Sequence, residues 1–249
     1  MKVLIKAGCN VNQATTDDGA SPLWIASYNG HLALVKVLIE AGGNVNQART
    51  TDGASPLFMA SQKGFVDLVK VLIEAGGNVN QARTTDGASP LYMASQNGHL
   101  ALVKVLIEAD GDVNQPDDEG STPLFIASNN GHVDIVKVLL KAGGNVNQAE
   151  TDNGCSPLLI ASQKGNVDIV KVLLEAGGNV NQHDHKNITP LNKASDQGHT
   201  EIVRLLLQQP NIDLNKKDDW NDSPLSSATQ KNYTEIVQLL KDAGATYTK

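Results

Sequence analysis

Apolar residues along this chain fall into two alternating patterns, a short one and a longer one. The short pattern runs through Leu23, Ile25 and Ala26, and the longer one through Leu34, Val35, Leu38 and Ile39. Spacings of three and four in the second pattern mark one face of a helix, with Lys36 and Glu40 outside it. Ser21 and Pro22 precede the short pattern. Serine is a good N-cap, and proline at the first helical position sacrifices no hydrogen bond. A helix of about two turns is therefore predicted from Pro22. Asn29-Gly30 stops it, because glycine supplies the left-handed backbone that ends helices. A second helix is predicted from Leu32 to Glu40, closed by Ala41-Gly42-Gly43. Asn44-Val45-Asn46-Gln47 then leads into a polar loop.

This block recurs along the whole chain. Pro-Leu stands at Pro22, Pro56, Pro90, Pro123, Pro157, Pro190 and Pro224, with spacings of 34, 34, 33, 34, 33 and 34 residues. Residues 48–81 and 82–115 align without a gap and differ at seven of 34 positions. Such a period belongs to an array in which each unit buries its apolar face on its neighbours. The composition agrees. Only 4% of the 249 residues are aromatic although 40% are hydrophobic, so the core is distributed rather than built around large rings.

The unit resembles the ankyrin repeat. Its signature of Ser/Thr-Pro-Leu, Gly-His, a leucine-rich second helix and Ala-Gly-x-x-Val-Asn stands here as Ser21-Pro22-Leu23, Gly30-His31, Val35 to Leu38 and Ala41 to Asn46. The resemblance implies an all-α repeat solenoid: stacked helix pairs with projecting β-hairpin-like loops, about seven repeats plus an N-terminal half-repeat. A single array over 1–249 is expected, with a partial repeat at 1–13, six repeats over 14–217 and a C-terminal capping repeat at 218–249. Polar residues Lys193, Ser226, Ser227, Gln238 and Lys241 suit that capping role. The family's histidine after Pro-Leu is replaced by Trp24, Phe58, Tyr92, Phe125, Leu159, Asn192 and Ser226. Asn187, Asn221 and Asn232 stand where other repeats carry glycine, and asparagine is the residue besides glycine best suited to left-handed backbone. Asn46, Asn80, Asn114, Asn147 and Asn181 each follow a leucine by eight residues. That spacing looks like the context in which ankyrin asparagines are hydroxylated, and a loop-bracing hydrogen bond is the alternative role.

Charge and chemistry narrow the function. The net charge of −7 argues against nucleic acid or an anionic membrane as partner. No apolar run is long enough to cross a bilayer, and Met1 to Lys6 does not read as a signal peptide. His31, His99, His132 and His199 share one register in different repeats. Neighbouring helices stand roughly 8–10 Å apart, so these rings do not share an ion held at about 2 Å. His183-Asp184-His185 is the densest candidate metal cluster, but no third or fourth ligand lies near it in sequence. Cys9 and Cys155 are four repeats apart, too far to pair. With no phosphate-binding glycine loop, no dinucleotide fingerprint and no nucleophile beside a base, the sequence predicts no enzyme, cofactor or metal.

What remains is binding to another protein. In a stacked array, equivalent positions line up in rows, and the resemblance implies that loop tips and the exposed sides of the first helices form a concave face. One row holds the two residues before the mid-repeat glycine: Tyr28-Asn29, Gln62-Lys63 and Gln96-Asn97, then Asn129-Asn130, Gln163-Lys164 and Asp196-Gln197. The second row holds the tips Asp18, Asp52 and Asp86, then Glu119, Asn153, Lys186 and Trp220. Trp24, Phe58, Tyr92 and Phe125 either fill the space between first helices, which their register favours, or form a recognition stripe. The seven loop windows hold 13 of the 27 acidic residues and 5 of the 20 basic ones, so the whole excess negative charge lies there. A basic partner segment is therefore expected. Reversing Asp52, Asp86 and Glu119 to lysine should slow its association and leave folding nearly untouched. Lys36, Lys70, Lys104, Lys137, Lys171 and Arg204 form a row on the second helices that reads as solvated. The expected function is a non-enzymatic, monomeric protein–protein interaction scaffold, cytoplasmic or nuclear, without nucleic acid or membrane insertion. The alternative is the targeting segment of a larger multidomain enzyme, channel or effector.

Overall fold

A computed structural model of the chain describes residues 8–247. The helix of the expected N-terminal half-repeat and the segment weighed as a signal peptide lie outside the described residues. Among those described there are fourteen helices and no strand, and the chain divides into two compact units, Met1–Asp118 and Glu119–Lys249.

The first unit holds α1 (Pro22–Tyr28), α2 (Leu32–Glu40), α3 (Pro56–Lys63), α4 (Val66–Glu74), α5 (Pro90–Gln96) and α6 (Leu100–Glu108). Each odd-numbered helix packs on the even-numbered helix that follows it. First helices also stack on first helices, and second on second. Every first helix opens as the sequence predicts: the Oγ of Ser21, Ser55 and Ser89 accepts from the backbone N–H of Trp24, Phe58 and Tyr92 at 3.0–3.1 Å. Leu23, Leu57 and Leu91 sit beside these caps at no more than 1% exposure, and Leu38, Leu72 and Leu106 of the second helices are buried to the same degree. Full burial of one such side chain contributes about 1.5–3 kcal/mol.

The second unit repeats the plan with α7 (Pro123–Asn129), α8 (Val133–Lys141), α9 (Pro157–Lys164), α10 (Val167–Glu175), α11 (Pro190–Gln197), α12 (Thr200–Leu207), α13 (Pro224–Gln230) and α14 (Thr234–Asp242). Its N-caps are Thr122, Ser156, Thr189 and Ser223. Asn192 and Ser226, which stand at the position of the family's histidine, complete reciprocal capping boxes with Thr189 and Ser223. Asn192 also donates from Nδ2 to the Lys216 carbonyl at 3.1 Å, so it still ties its helix to the next loop.

Between repeats the loops form a backbone ladder. Loops close on themselves through bonds such as Arg49 N–H to the Ala54 carbonyl, 3.0 Å, and Glu150 N–H to the Cys155 carbonyl, 3.1 Å. Neighbouring loops also bond one another: Thr84 N–H to Asp52 O at 2.8 Å in the first unit, and Thr151 N–H to Glu119 O at 2.7 Å in the second. Below the tips an asparagine bridges to the following repeat. Asn46 accepts from Asn78 N–H at 2.7 Å and donates to the Gly76 carbonyl at 3.0 Å. Asn12, Asn80, Asn147 and Asn181 donate in the same way to Gly42, Asp110, Gly177 and Asn211. The loop-bracing role weighed for these residues is thus present in both units.

Left-handed positions explain the punctuation. Asn187, Asn221 and Asn232 adopt φ of 59°, 68° and 60°, as their alignment with glycine predicts. The mid-repeat glycine has a second reason to be bare. A Cβ on Gly64 would lie 2.8 Å from the His99 ring, and one on Gly30 would lie 2.8 Å from Phe65. Phe65 and His99 therefore roof the glycine of the repeat before them, as His199 does Gly165 and Tyr233 does Gly198.

Candidate protein-binding surface

Three of the four aromatic-row residues are packed inside, and the fourth, Phe125, is half-buried. Trp24, Phe58 and Tyr92 are 6%, 0% and 7% exposed, and the first two are covered by cations from the following loop. The Arg49 guanidinium carbon lies 4.4 Å from the Trp24 ring centroid, and that of Arg83 lies 4.9 Å from Phe58. Trp24 stacks on Tyr28 at 5.4 Å, and Lys63 Nζ lies 4.7 Å over Tyr28, whose ring is 40% exposed. Four predicted or packed positions of the first unit thus form one cation–ring stack from Arg49 to Lys63.

The same arginines overturn one expectation about the tips. Arg49 makes a forked pair with Asp52, Nε to Oδ1 at 3.1 Å, and lies 3.7 Å from Asp18; Arg83 pairs likewise with Asp86. Asp52 and Asp86 also accept the N–H of Ala54 and Ala88, closing their own turns. Their charge is neutralised within the loop, so reversal to lysine would set two cations together and open the turn. It would not leave folding untouched. The Arg-x-x-Asp spacing at 49–52 and 83–86 carried this information.

The Arg49 hydrogen bond holds the Asp52 carboxyl below the usual carboxylate range, and Arg83 does the same for Asp86. A folded-state pKa below the unfolded value gives stability above about pH 3.9, lost as pH falls through the lower folded value. Asp52→Asn should therefore cost about 1 kcal/mol at neutral pH. The gap from wild type in urea midpoints should close toward about pH 3. A gap constant with pH would contradict the pairing.

The second unit has different chemistry at the same places. Glu150 is 5% exposed and accepts from the N–H groups of Asp152, Asn153 and Cys155. Asp184, 6% exposed, accepts from Lys186 and Ile188. These carboxylates build their own loops from within, where the first unit uses arginine. Around them opens a groove of about 490 Å³. The predicted tips Glu119, Asn153, Lys186 and Trp220 line it together with Gln163 from α9, over a floor that includes Phe125, Ile160 and Ile188. Asp152 and Lys193 also line it; Asp152 was not singled out from the sequence, and Lys193 was named there only for the capping role. Cys155 lies in the groove too. Burial first, then the Asp184 and Glu150 charges, push its thiol up to about 12, which keeps it protonated rather than nucleophilic.

The remaining predicted residues do local work. Asn29 and Asn97 donate from Nδ2 to the Ile25 and Met93 carbonyls at 2.8 and 2.9 Å, closing their helices. The carbonyls of Gln62 and Gln163 meet the Nε2 of His99 and His199 at 3.2 and 3.1 Å. Asn129 donates to Asn130, and Gln197 to Asp196, between adjacent side chains. Lys164 ends α9 with its side chain exposed. His183 Nδ1 meets the Asp184 carbonyl at 2.9 Å. Among the described residues no group of three or more His, Cys, Asp or Glu side chains is placed to hold a metal ion. No helix among them is long and apolar enough to cross a membrane.

The stacked helix pairs and bonded loops define a helical repeat protein. The family described as ankyrin repeats (3 copies) matches residues 1–83, 25–117, 91–184 and 158–249, which together span the sequence. The chain belongs to the ankyrin repeat family, whose members are generally protein–protein interaction modules and generally non-enzymatic. A comparison with curated protein sequences returns no match.

Proposed function

We propose that the chain is a non-enzymatic scaffold that holds a protein or peptide partner against the side formed by its loop tips and first helices. The groove of the second unit carries this reading. Five residues chosen as row positions line it together, with polar walls and an apolar floor, as interaction sites require. Charge points to a basic partner segment, and the second unit is where that preference is seated, because the tip aspartates of the first unit already hold arginines. Electrostatic complementarity of this kind mainly raises the association rate and sets specificity.

Peptides selected from a displayed random library on the full chain should lose binding when Tyr28, Gln96 and Gln163 are changed to alanine. They should keep it when Lys70, Lys104 and Lys137 are changed on the second helices. The reverse pattern would show that the partner uses the opposite side.

A further inference from the structure

We infer that the scaffold's anchoring site is Trp220 in the second unit, and that its occupant is an extended basic segment of a partner protein whose arginine or lysine packs on that indole. This rests on the scaffold reading above and adds where binding is concentrated and what chemistry fits. Trp220 stands on a loop tip with 61% of its surface exposed. The tip is fixed from beneath. Trp220 N–H donates to Asp218 Oδ1 at 3.0 Å, Asn221 turns the chain at φ 68°, and Asp219 N–H bonds the Lys186 carbonyl at 3.1 Å. A large ring held on an ordered backbone loses little freedom when a partner covers it, and tryptophan is accordingly enriched among residues that dominate interface energies.

The surroundings select the charge. Trp220 borders both the groove and a second hollow of about 220 Å³, and the two share Ile188, Lys193 and Trp220. Together their walls carry seven carboxylates and two lysines. One of those lysines, Lys186, already places its Nζ 5.5 Å from the Trp220 ring centroid, so the indole face accepts a cation in this setting. A partner arginine would replace that contact with a flat group suited to stacking and leave its charge among the carboxylates. In the first unit the exposed ring is Tyr28, one face of which is stacked on Trp24 while Lys63 lies over the ring, and no tryptophan stands exposed there. That unit's other cation-bearing rings, Trp24 and Phe58, are buried beneath Arg49 and Arg83.

The occupant's length follows from the loops it crosses. Glu119 to Trp220 spans three repeat steps of roughly 8–10 Å each. An extended segment covers that distance with about eight or nine residues. Successive loops are joined by backbone bonds at Thr151, His185 and Asp219, so the walls form one continuous support.

The test uses the full chain carrying Trp24→Phe, a ring already found in that register at Phe58, which leaves Trp220 as the reporting tryptophan. The probes are three labelled nonapeptides in which serine alternates with arginine, glutamine or glutamate. The arginine peptide should bind saturably, change the Trp220 emission, and weaken as salt shortens the Debye length from roughly 10 Å toward 3 Å. In the Trp24-containing chain, followed by the peptide label, Trp220→Ala should weaken binding roughly tenfold or more. Lys186→Gln, which removes the competing cation, should strengthen it, and Lys70→Ala on a second helix of the first unit should leave it unchanged. Equal binding of the glutamate peptide, unaltered affinity in Trp220→Ala, or no saturable binding of the arginine peptide overturns the inference. Library peptides that depend on Gln163 but ignore Trp220 would overturn it while leaving the scaffold reading intact.

Discussion

A Phe58→Ala chain should lose about 3–5 kcal/mol of stability, the largest single loss expected in the first unit. Phe58 is fully buried, lies beneath the Arg83 guanidinium, and opens a helix capped through its own N–H by Ser55. Truncation removes the ring and leaves a cavity that stacked neighbours on both sides cannot collapse into without breaking their register. It also strips Arg83 of the surface it covers while leaving its bond to Asp86. Phe58→Tyr should be mild, because Tyr92 occupies the same register one repeat later at 7% exposure. Urea denaturation followed by circular dichroism measures both. A loss below about 1 kcal/mol for the alanine chain would mean that this site relaxes far more than close-packed interiors do.

Gly64→Ala should cost about 2–3 kcal/mol, from two separable causes. At φ 78° an alanine bears the left-handed penalty of roughly 1–2 kcal/mol. Its Cβ would also lie 2.8 Å from the His99 ring, forcing the imidazole away from the Gln62 carbonyl it meets at 3.2 Å. Gly42→Ala separates the two. Gly42 has φ 83°, but a Cβ there meets nothing within 4 Å, so it should show the backbone cost alone. Equal losses at both positions would remove the claim that His99 roofs Gly64.

Most of the framework could be read because its causes are local. Ser-Pro pairs set the start of first helices, three-and-four spacing set the buried face of second helices, and Asn187, Asn221 and Asn232 occupy the left-handed sites their alignment gave them. Asp110 and Asn211 also adopt positive φ, at 63° and 67°, replacing helix-terminating glycines that the reading did not follow into those repeats. The binding surface was less legible. Counting acidic residues in the loops cannot tell a carboxylate turned to solvent from one filled by its own loop, and Glu150 and Asp184 are of the second kind. Nor does the one-letter pattern show that Arg49 reaches back to Trp24, since that contact joins two repeats through space. Trp220 and Gln163 were named as members of different rows, and only the stacking of loops over helices brings them to one groove.

The asparagine bridges separate what can change length from what cannot. Asn46, Asn80, Asn147 and Asn181 each reach the residues 30 and 32 positions onward. From Pro22, Pro56, Pro90, Pro123 and Pro157 the equivalent asparagines, Asn46, Asn80, Asn114, Asn147 and Asn181, follow at 24 residues every time, and from Pro190 Asn215 follows at 25. From asparagine to the proline of the next Pro-Leu pair it is ten at Asn12, Asn46, Asn80 and Asn147, but nine at Asn114, Asn181 and Asn215. The irregular period noted at the outset therefore falls mainly in the tips, beyond the rungs that fix the stack. A residue gained or dropped there alters the edge offered to a partner while the helix pairs keep their registration. Such an array can acquire a new recognition edge by slippage within one tip, without renegotiating its interior.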